Sequence, residues 1–294
     1  IALSTRPIQT RDFSWDINLN FSKNSNKVKE LDGESDMFEL EKASWLDVQV
    51  AAKVGENFGS IVGPDFQRNA KGDILIDPQT GLPQYDKSNH VLGNASWDWT
   101  GGLLTNFTYK NLSLVAVFDV KVGADLYSMS ARAAYESGKS PETLAGRDAW
   151  YRSEEERLAA GIAKGADNWK PTGGFVAPGV IDNGDGTYRP NDIYINPEDY
   201  WMSVCRNAPS MFIYDNSYVK CRELTLSYNV PKSWLKNVVS GLTVSFVARN
   251  PFIVWKNIPN IDPDSNYNNT TGMGLEYGSL PSRRSYGFNV NVKF

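Results

Sequence analysis

The chain has no hydrophobic run long enough for a membrane helix. Nothing in its 294 residues approaches the roughly 20 consecutive apolar residues that such a helix requires. This leaves a β-barrel possible, because only alternate residues of a barrel strand face lipid. A basic excess is also missing. Net charge is -4, so there is no global positive field to hold nucleic acid or an anionic membrane surface. Histidine occurs once, as His90 in a polar stretch, which reads as a solvated residue rather than a catalytic base. Cysteine occurs twice, as Cys205 and Cys221. One disulfide or none is open, and the count does not fix a compartment. The chain opens on Ile1 with no secretory leader. There is no phosphate-cradling glycine loop, zinc spacing or nucleophile elbow. Glycoside hydrolysis needs two carboxylates roughly 5–9.5 Å apart, and the acidic residues here are scattered over loops. No catalytic residue, cofactor site or metal site is expected, and the chain reads as a non-enzyme.

What is present is aromatic and alternating. Aromatics make up 12% of the chain, with nine Trp, a residue that favours places where one end of the ring is apolar and the other wet. The last segment places Tyr286, Phe288, Val290, Val292 and Phe294 on one face and Gly287, Asn289, Asn291 and Lys293 on the other. Period two means a strand with one apolar and one polar face. Rings at the ends and valines between are the order that a lipid-facing stripe requires. Near the start, Phe13, Trp15, Ile17, Leu19 and Phe21 oppose Ser14, Asp16, Asn18, Asn20 and Ser22. Soluble strands average about 5–6 residues, whereas a tilted barrel strand needs about 9–11. Both segments have the greater length.

Further strands are expected over 103–110 and 112–122, joined by a tight turn at Asn111, and over 218–230 and 242–250. A weaker strand is expected over 45–54. A soluble all-β protein with one wet face would show the same alternation. Strand length, terminal aromatics and loop asymmetry favour the barrel. With Phe294 at the periplasmic side, the connections at 23–26, 111 and 231–241 are short, while 55–102, 123–217 and 251–284 are long outer loops. Short turns alternating with long outer loops mark a transmembrane barrel. Within 123–217, Ser140-Pro141-Glu142 and the capping-box pair Ser153 and Glu156 predict a short helix or two between 141 and 164. Asn183-Gly184-Asp185-Gly186 predicts a hairpin turn rather than a calcium loop. Asp262-Pro263-Asp264 could offer carboxylates to a cation or to sugar hydroxyls, or form an ordinary turn, and Asp77-Pro78-Gln79-Thr80-Gly81 reads the same way. Trp97-Asp98-Trp99 could stack on a sugar or belong to an interfacial aromatic girdle.

Several motifs resemble one family. The stretch Asp215-Asn216-Ser217-Tyr218-Val219-Lys220-Cys221-Arg222-Glu223-Leu224-Thr225-Leu226-Ser227-Tyr228 resembles a strand of SusC/RagA-family TonB-linked outer-membrane proteins. Pro231-Lys232 is similar to that family's next short turn, and Arg249-Asn250 to the end of its next strand. Asn260-Ile261-Asp262-Pro263-Asp264 resembles one of its loops, and Pro281-Ser282-Arg283-Arg284-Ser285-Tyr286-Gly287-Phe288 resembles the entry to its final strand. Upstream, Asp12-Phe13-Ser14-Trp15-Asp16, Asn20-Phe21-Ser22-Lys23-Asn24, Leu92-Gly93-Asn94 and Gly101-Gly102-Leu103 fit in the family's order. Asp264 departs from it, since Glu is commoner there. The resemblance implies the last six to eight strands of a roughly 22-stranded antiparallel transmembrane β-barrel, the size class with a plugged lumen. The whole of 1–294 is then the C-terminal part of the barrel. The family's carboxypeptidase-like extension, TonB box and plug are expected to lie outside this chain.

Implied partners are a SusD-like surface lipoprotein, the rest of the barrel and its plug, TonB through the N-terminal part, and outer-membrane lipid of a Gram-negative bacterium. The implied substrate is an oligosaccharide or peptide. Asp119, Glu223, Arg249 and Asn289 are the candidate lumen-facing residues. Tyr286, Phe288, Val290, Val292 and Phe294 are the candidate barrel assembly signal. The competing readings are a secreted or surface β-rich glycan-binding protein or hydrolase, and a porin-like channel without TonB coupling.

Overall fold

The computed structural model describes all residues except 34, 43–46, 236–238 and 269. Seven strands form one sheet: β1 (Ala2–Gln9), β2 (Phe13–Lys23), β3 (Trp99–Tyr109), β4 (Leu112–Val122), β5 (Tyr218–Asn229), β6 (Gly241–Lys256) and β7 (Ser285–Lys293). Each pairs antiparallel with its neighbours in chain order, so the sheet is a meander with no crossover. Strands β2, β3 and β4 have 11 residues, β5 has 12 and β6 has 16. All five reach the roughly 9–11 residues of a tilted bilayer crossing.

Register follows chemistry. Leu242 pairs with Val292, Val244 with Val290 and Phe246 with Phe288, while Thr243 pairs with Asn291 and Ser245 with Asn289. A slip of one residue would set every apolar side chain on the polar face, so the alternation fixes the register. Aromatic pairs sit near both edges of the apolar face, with Trp15 stacked on Phe107 at 5.5 Å and Phe21 beside Trp99 at 5.6 Å.

That apolar face is uncovered. Leu114, Leu226, Val244, Phe246, Phe288 and Val290 are all exposed, and among the described residues neither buried hydrophobic cluster contains one from the seven strands. A soluble sheet would bury this face, since contiguous apolar patches of such size mark an interaction surface or a membrane.

The connections divide by edge. Residues 10–12, Lys110–Asn111 and 230–240 join strands at one edge, the edge where β7 ends. Lys110 takes a left-handed φ of 51° to close the two-residue turn, as primed hairpin turns require. The connections 24–98, 123–217 and 257–284 leave the other edge. The polar stretch at 23–26, expected among the short turns, lies at this long-loop edge instead, because Lys23 pairs with Trp99. The reason is that the expected strand over 45–54 does not join the sheet. Its first residues fall outside the described ones, and Gln49–Lys53 is the second strand of a separate four-stranded sheet with Met37–Lys42, Ser60–Phe66 and Tyr85–Asn94. The 16-residue β6 also runs past the expected end at 250.

The long connections fold together. Asp125–Ser128 pairs antiparallel with Ile213–Asp215 and parallel with Leu275–Glu276, so two connections share one small sheet. Three helices, α1 (Met129–Glu136), α2 (Arg147–Ala159) and α3 (Pro197–Asn207), come from 123–217. The buried carboxylate of Glu276 accepts from Ser128 Oγ, from the backbone N–H and Oγ of Ser130 and from the Ser279 N–H, fastening the third connection to the start of α1. One buried cluster joins Val48, Val50, Ile61, Tyr127, Phe212 and Leu275, residues of all three connections.

Two local expectations change. Pro141–Leu144 forms a 3-10 turn, with α2 next in the chain, so helix is present where expected. Ser153 does not start it. Ser153 lies buried inside α2 and accepts the Thr172 N–H, while Glu156 accepts from Thr172 Oγ1. The predicted hairpin forms, pairing Val180–Asp182 with Tyr188–Pro190.

Candidate functional site

The polar face of the sheet carries a charged cluster at its long-loop edge. Strand β5 builds it with a bulge. Register shifts between Cys221 and Glu223 against both neighbours. An extra residue re-aims side chains, and here it brings Tyr218 and Lys220 onto the same face as Glu223, Thr225 and Ser227, with Lys220 opposite Asp119.

Lys220 is only 2% exposed. Its ammonium donates to Asp262 at 3.0 Å, Asp264 at 2.6 Å and Ser282 Oγ at 2.5 Å. Arg222 donates to Asp119 at 2.6 Å and to both oxygens of Asp264 at 2.5 and 2.9 Å. Tyr218 Oη donates to Asp264 at 2.8 Å. Burial opposes ionisation of Asp264, but hydrogen bonds and charge from Arg222 and Lys220 outweigh it and hold the carboxyl well below its ordinary range. Asp262 is lowered in the same way: burial is overcome by the Ser282 hydroxyl, the Asp264 N–H and Lys220. Hydrogen-bonded, paired charges are the form in which ions are tolerated in an interior. The Asp262-Pro263-Asp264 segment is therefore a turn whose two carboxylates are spent on Lys220 and Arg222, and it anchors the connection 257–284 to the sheet.

A cavity of about 250 Å³ opens beside the cluster, lined by Trp97, Lys121, Asp125, Asn216, Tyr218 and Asp264 among others. The Lys121 ammonium lies over Trp97 at 5.5 Å and Tyr218 at 5.9 Å, a cation–π arrangement. Burial pushes the Asp125 carboxyl up, although it accepts the Asn94 N–H. Trp97 meets Tyr218 edge-on at 5.8 Å, while Trp99 joins the aromatic edge of the apolar face.

The four sequence-derived candidates share the polar face. Asp119 enters the cluster. Glu223 and Arg249 form a separate exposed pair at 3.6 Å. Asn289 stands across from Ser245 on exposed β7. The alternation did not single out Tyr218, Lys220, Arg222 or Ser282. Tyr286, Phe288, Val290 and Val292 lie on the opposite face. Cys205 and Cys221 are both free and buried. His90 pairs with Asp86 at 3.0 Å on an exposed strand, and Asp77 accepts the N–H groups of Gln79 and Thr80 in its own turn. Among the described residues no group of His, Cys, Asp or Glu is placed to hold a metal ion.

No family model matches the chain. Along its full length it is 22% identical to TonB-dependent receptor P3 and 25% identical to TonB-dependent receptor P26, both of Formosa agariphila. It is 22% identical to TonB-dependent receptor SusC of Bacteroides thetaiotaomicron. The chain spans 28%, 28% and 26% of those relatives. Among solved structures, the RagAB peptide importer matches the whole chain with a TM-score of 0.62 in its closed-closed state, at 17% identity and covering 29% of that chain. Its open-open state gives 0.56 at 16% identity, covering 28%. At this identity the structural likeness speaks to the fold.

Proposed function

We propose that this chain, homologous over its whole length to the C-terminal part of SusC-type TonB-dependent receptors, is a wall segment of an outer-membrane importer for oligosaccharides or peptides. It works with a SusD-like lipoprotein and performs transport without chemistry. The observation that carries the reading is the sheet: seven antiparallel strands with an uncovered apolar face, a polar face opposite, and all long connections at one edge.

Closure of the wall is a physical requirement. Strands β1 and β7 are edges of the sheet, and unpaired backbone groups are not tolerated in lipid. Further strands must therefore pair with both and close the barrel, in the roughly 22-stranded class that holds a plug. Asp119, Glu223, Arg249 and Asn289 then face the lumen. The long connections stand outside the cell, where the 123–217 segment meets the lipoprotein or the ligand. The stripe from Tyr286 to Phe294 serves as the assembly signal.

The test uses the full-length receptor in its native host. Deleting the gene should abolish uptake of its nutrient and growth on it, and the extracted protein should need detergent to stay monodisperse. A protein that stays monodisperse without detergent, or a deletion strain with unchanged uptake of every oligosaccharide and peptide tested, would sink the reading.

A further inference from the structure

A second cavity, of about 220 Å³, lies in the outer layer away from the charged cluster. The geometry points to a subsite for one neutral sugar ring of an oligosaccharide. The inference rests on the import reading above and narrows its substrate.

Four aromatic side chains from three helices line the cavity: Tyr135 of α1, Trp150 and Tyr151 of α2, and Trp201 of α3. Tyr135 and Trp201 belong to the packed interior, with ring centroids 4.8 Å apart. Of the two α2 aromatics, Trp150 is half-buried against Gly174 and Tyr151 is left outside the packing. Helix α2 buries Ser153 and Arg157, not its rings, and Tyr151 is 65% exposed. Neither Trp150 nor Tyr151 appears in a buried hydrophobic cluster. Tyr151, held on a rigid helix and exposed at a cavity wall beside the half-buried Trp150, has an apolar ring face available to the C–H face of a sugar ring, which is apolar in the middle and polar around its edge.

The polar groups suit such an edge. Arg147 is pinned: its Nε donates to Thr143 O at 2.8 Å, and its Nη2 donates to Gly138 O at 2.9 Å and Thr143 Oγ1 at 2.7 Å. Among the described residues Nη1 has no partner, so a donor is held ready at the wall. The Glu198 side chain is exposed and likewise has no partner among the described residues, which supplies an acceptor. One fixed donor, one free acceptor and aromatic walls can satisfy neighbouring hydroxyls while shielding the ring between them. The volume falls below the roughly 300–1,000 Å³ of drug-sized sites, the scale of a single ring rather than a chain.

The test titrates the full-length receptor in detergent with cellohexaose, xylohexaose, laminarihexaose and mannohexaose, and with a tryptic casein digest as the peptide probe. At least one hexasaccharide should bind. Tyr151→Ala should weaken that binding about tenfold, as expected for losing one aromatic contact, and Glu198→Gln should weaken it too. Leu158→Ala, on the same helix and equally exposed, should leave it unchanged. The inference is overturned if no hexasaccharide binds, if binding ignores Tyr151→Ala and Glu198→Gln, or if casein peptides show the same dependence on Tyr151. Uptake by cells separates the two readings. Lost uptake on gene deletion without sugar binding removes only the sugar subsite, whereas unchanged uptake removes the import reading.

Discussion

Lys220 shows how much one side chain carries in the wall. It is the central cation for Asp262 and Asp264, and its removal would leave buried carboxylates short of a partner. Breaking such a pair costs about 3–5 kcal/mol. Lys220→Met should therefore lower the unfolding temperature of the full-length protein and expose 257–284 to protease. Arg249→Ala should do neither, because its pair with Glu223 is exposed and exposed pairs contribute about 0–1 kcal/mol. The same cluster sets a pH response. Asp262 and Asp264 titrate lower folded than unfolded, so the stability they give is complete above the ordinary carboxylate range. It is lost only as pH falls through their lowered folded values. Hydrogen-exchange protection across 257–284, taken relative to the intrinsic exchange rate at each pH, should accordingly be the same at pH 5 as at pH 7. Early loss of protection between those values would contradict the assignment. Cys205 gives a simpler readout. Burial pushes its thiol up to about 12, so iodoacetamide at pH 8 should modify it only after denaturation, as mass spectrometry would show.

The elements differ in how legibly the sequence writes them. Long strands such as β2 and β7 are legible because period two persists for nine residues or more and separates aromatic and aliphatic side chains from asparagine and serine. The bulge left a signal that alternation alone passes over. Polar residues run Tyr218, Lys220, Arg222 and then change phase to Glu223, Thr225, Ser227. That phase change marks the extra residue, and with it the whole charged cluster. Other features were illegible for physical reasons. The capping pattern at Ser153 has the right spacing, yet a crossing segment at Thr172 supplies its partner, so tertiary contact overrides local preference. The strand Gln49–Lys53 is short and buried, and its pattern resembles a weak barrel strand. The direction of the faces can be tested by charge. Phe246→Arg should cost about 2–4 kcal/mol of barrel stability if that face meets lipid, whereas Asn289→Arg on the opposite face should be nearly neutral. The difference would be read by heat-modifiable mobility and urea titration, and equal costs would count against the outward apolar face.

At the scale of the whole molecule, the wall and the outer layer follow different rules. The wall is periodic and repeats one pairing from strand to strand, so each strand answers only to its two neighbours. The outer layer is not modular. Three connections that leave the same edge contribute to one buried cluster, and two of them share a small sheet and the hydrogen bonds of Glu276.

This interlocking has a consequence for descent. A loop that stands alone can be swapped, lengthened or lost while the rest of a barrel persists. Here Tyr127, Phe212, Val50, Ile61 and Leu275 meet in one interior, so a change of shape in one connection must be met by changes in the others. Change in these connections is therefore expected to involve the three segments as a set. Chimaeras that exchange all three between relatives should keep a folded exterior more often than those that exchange one.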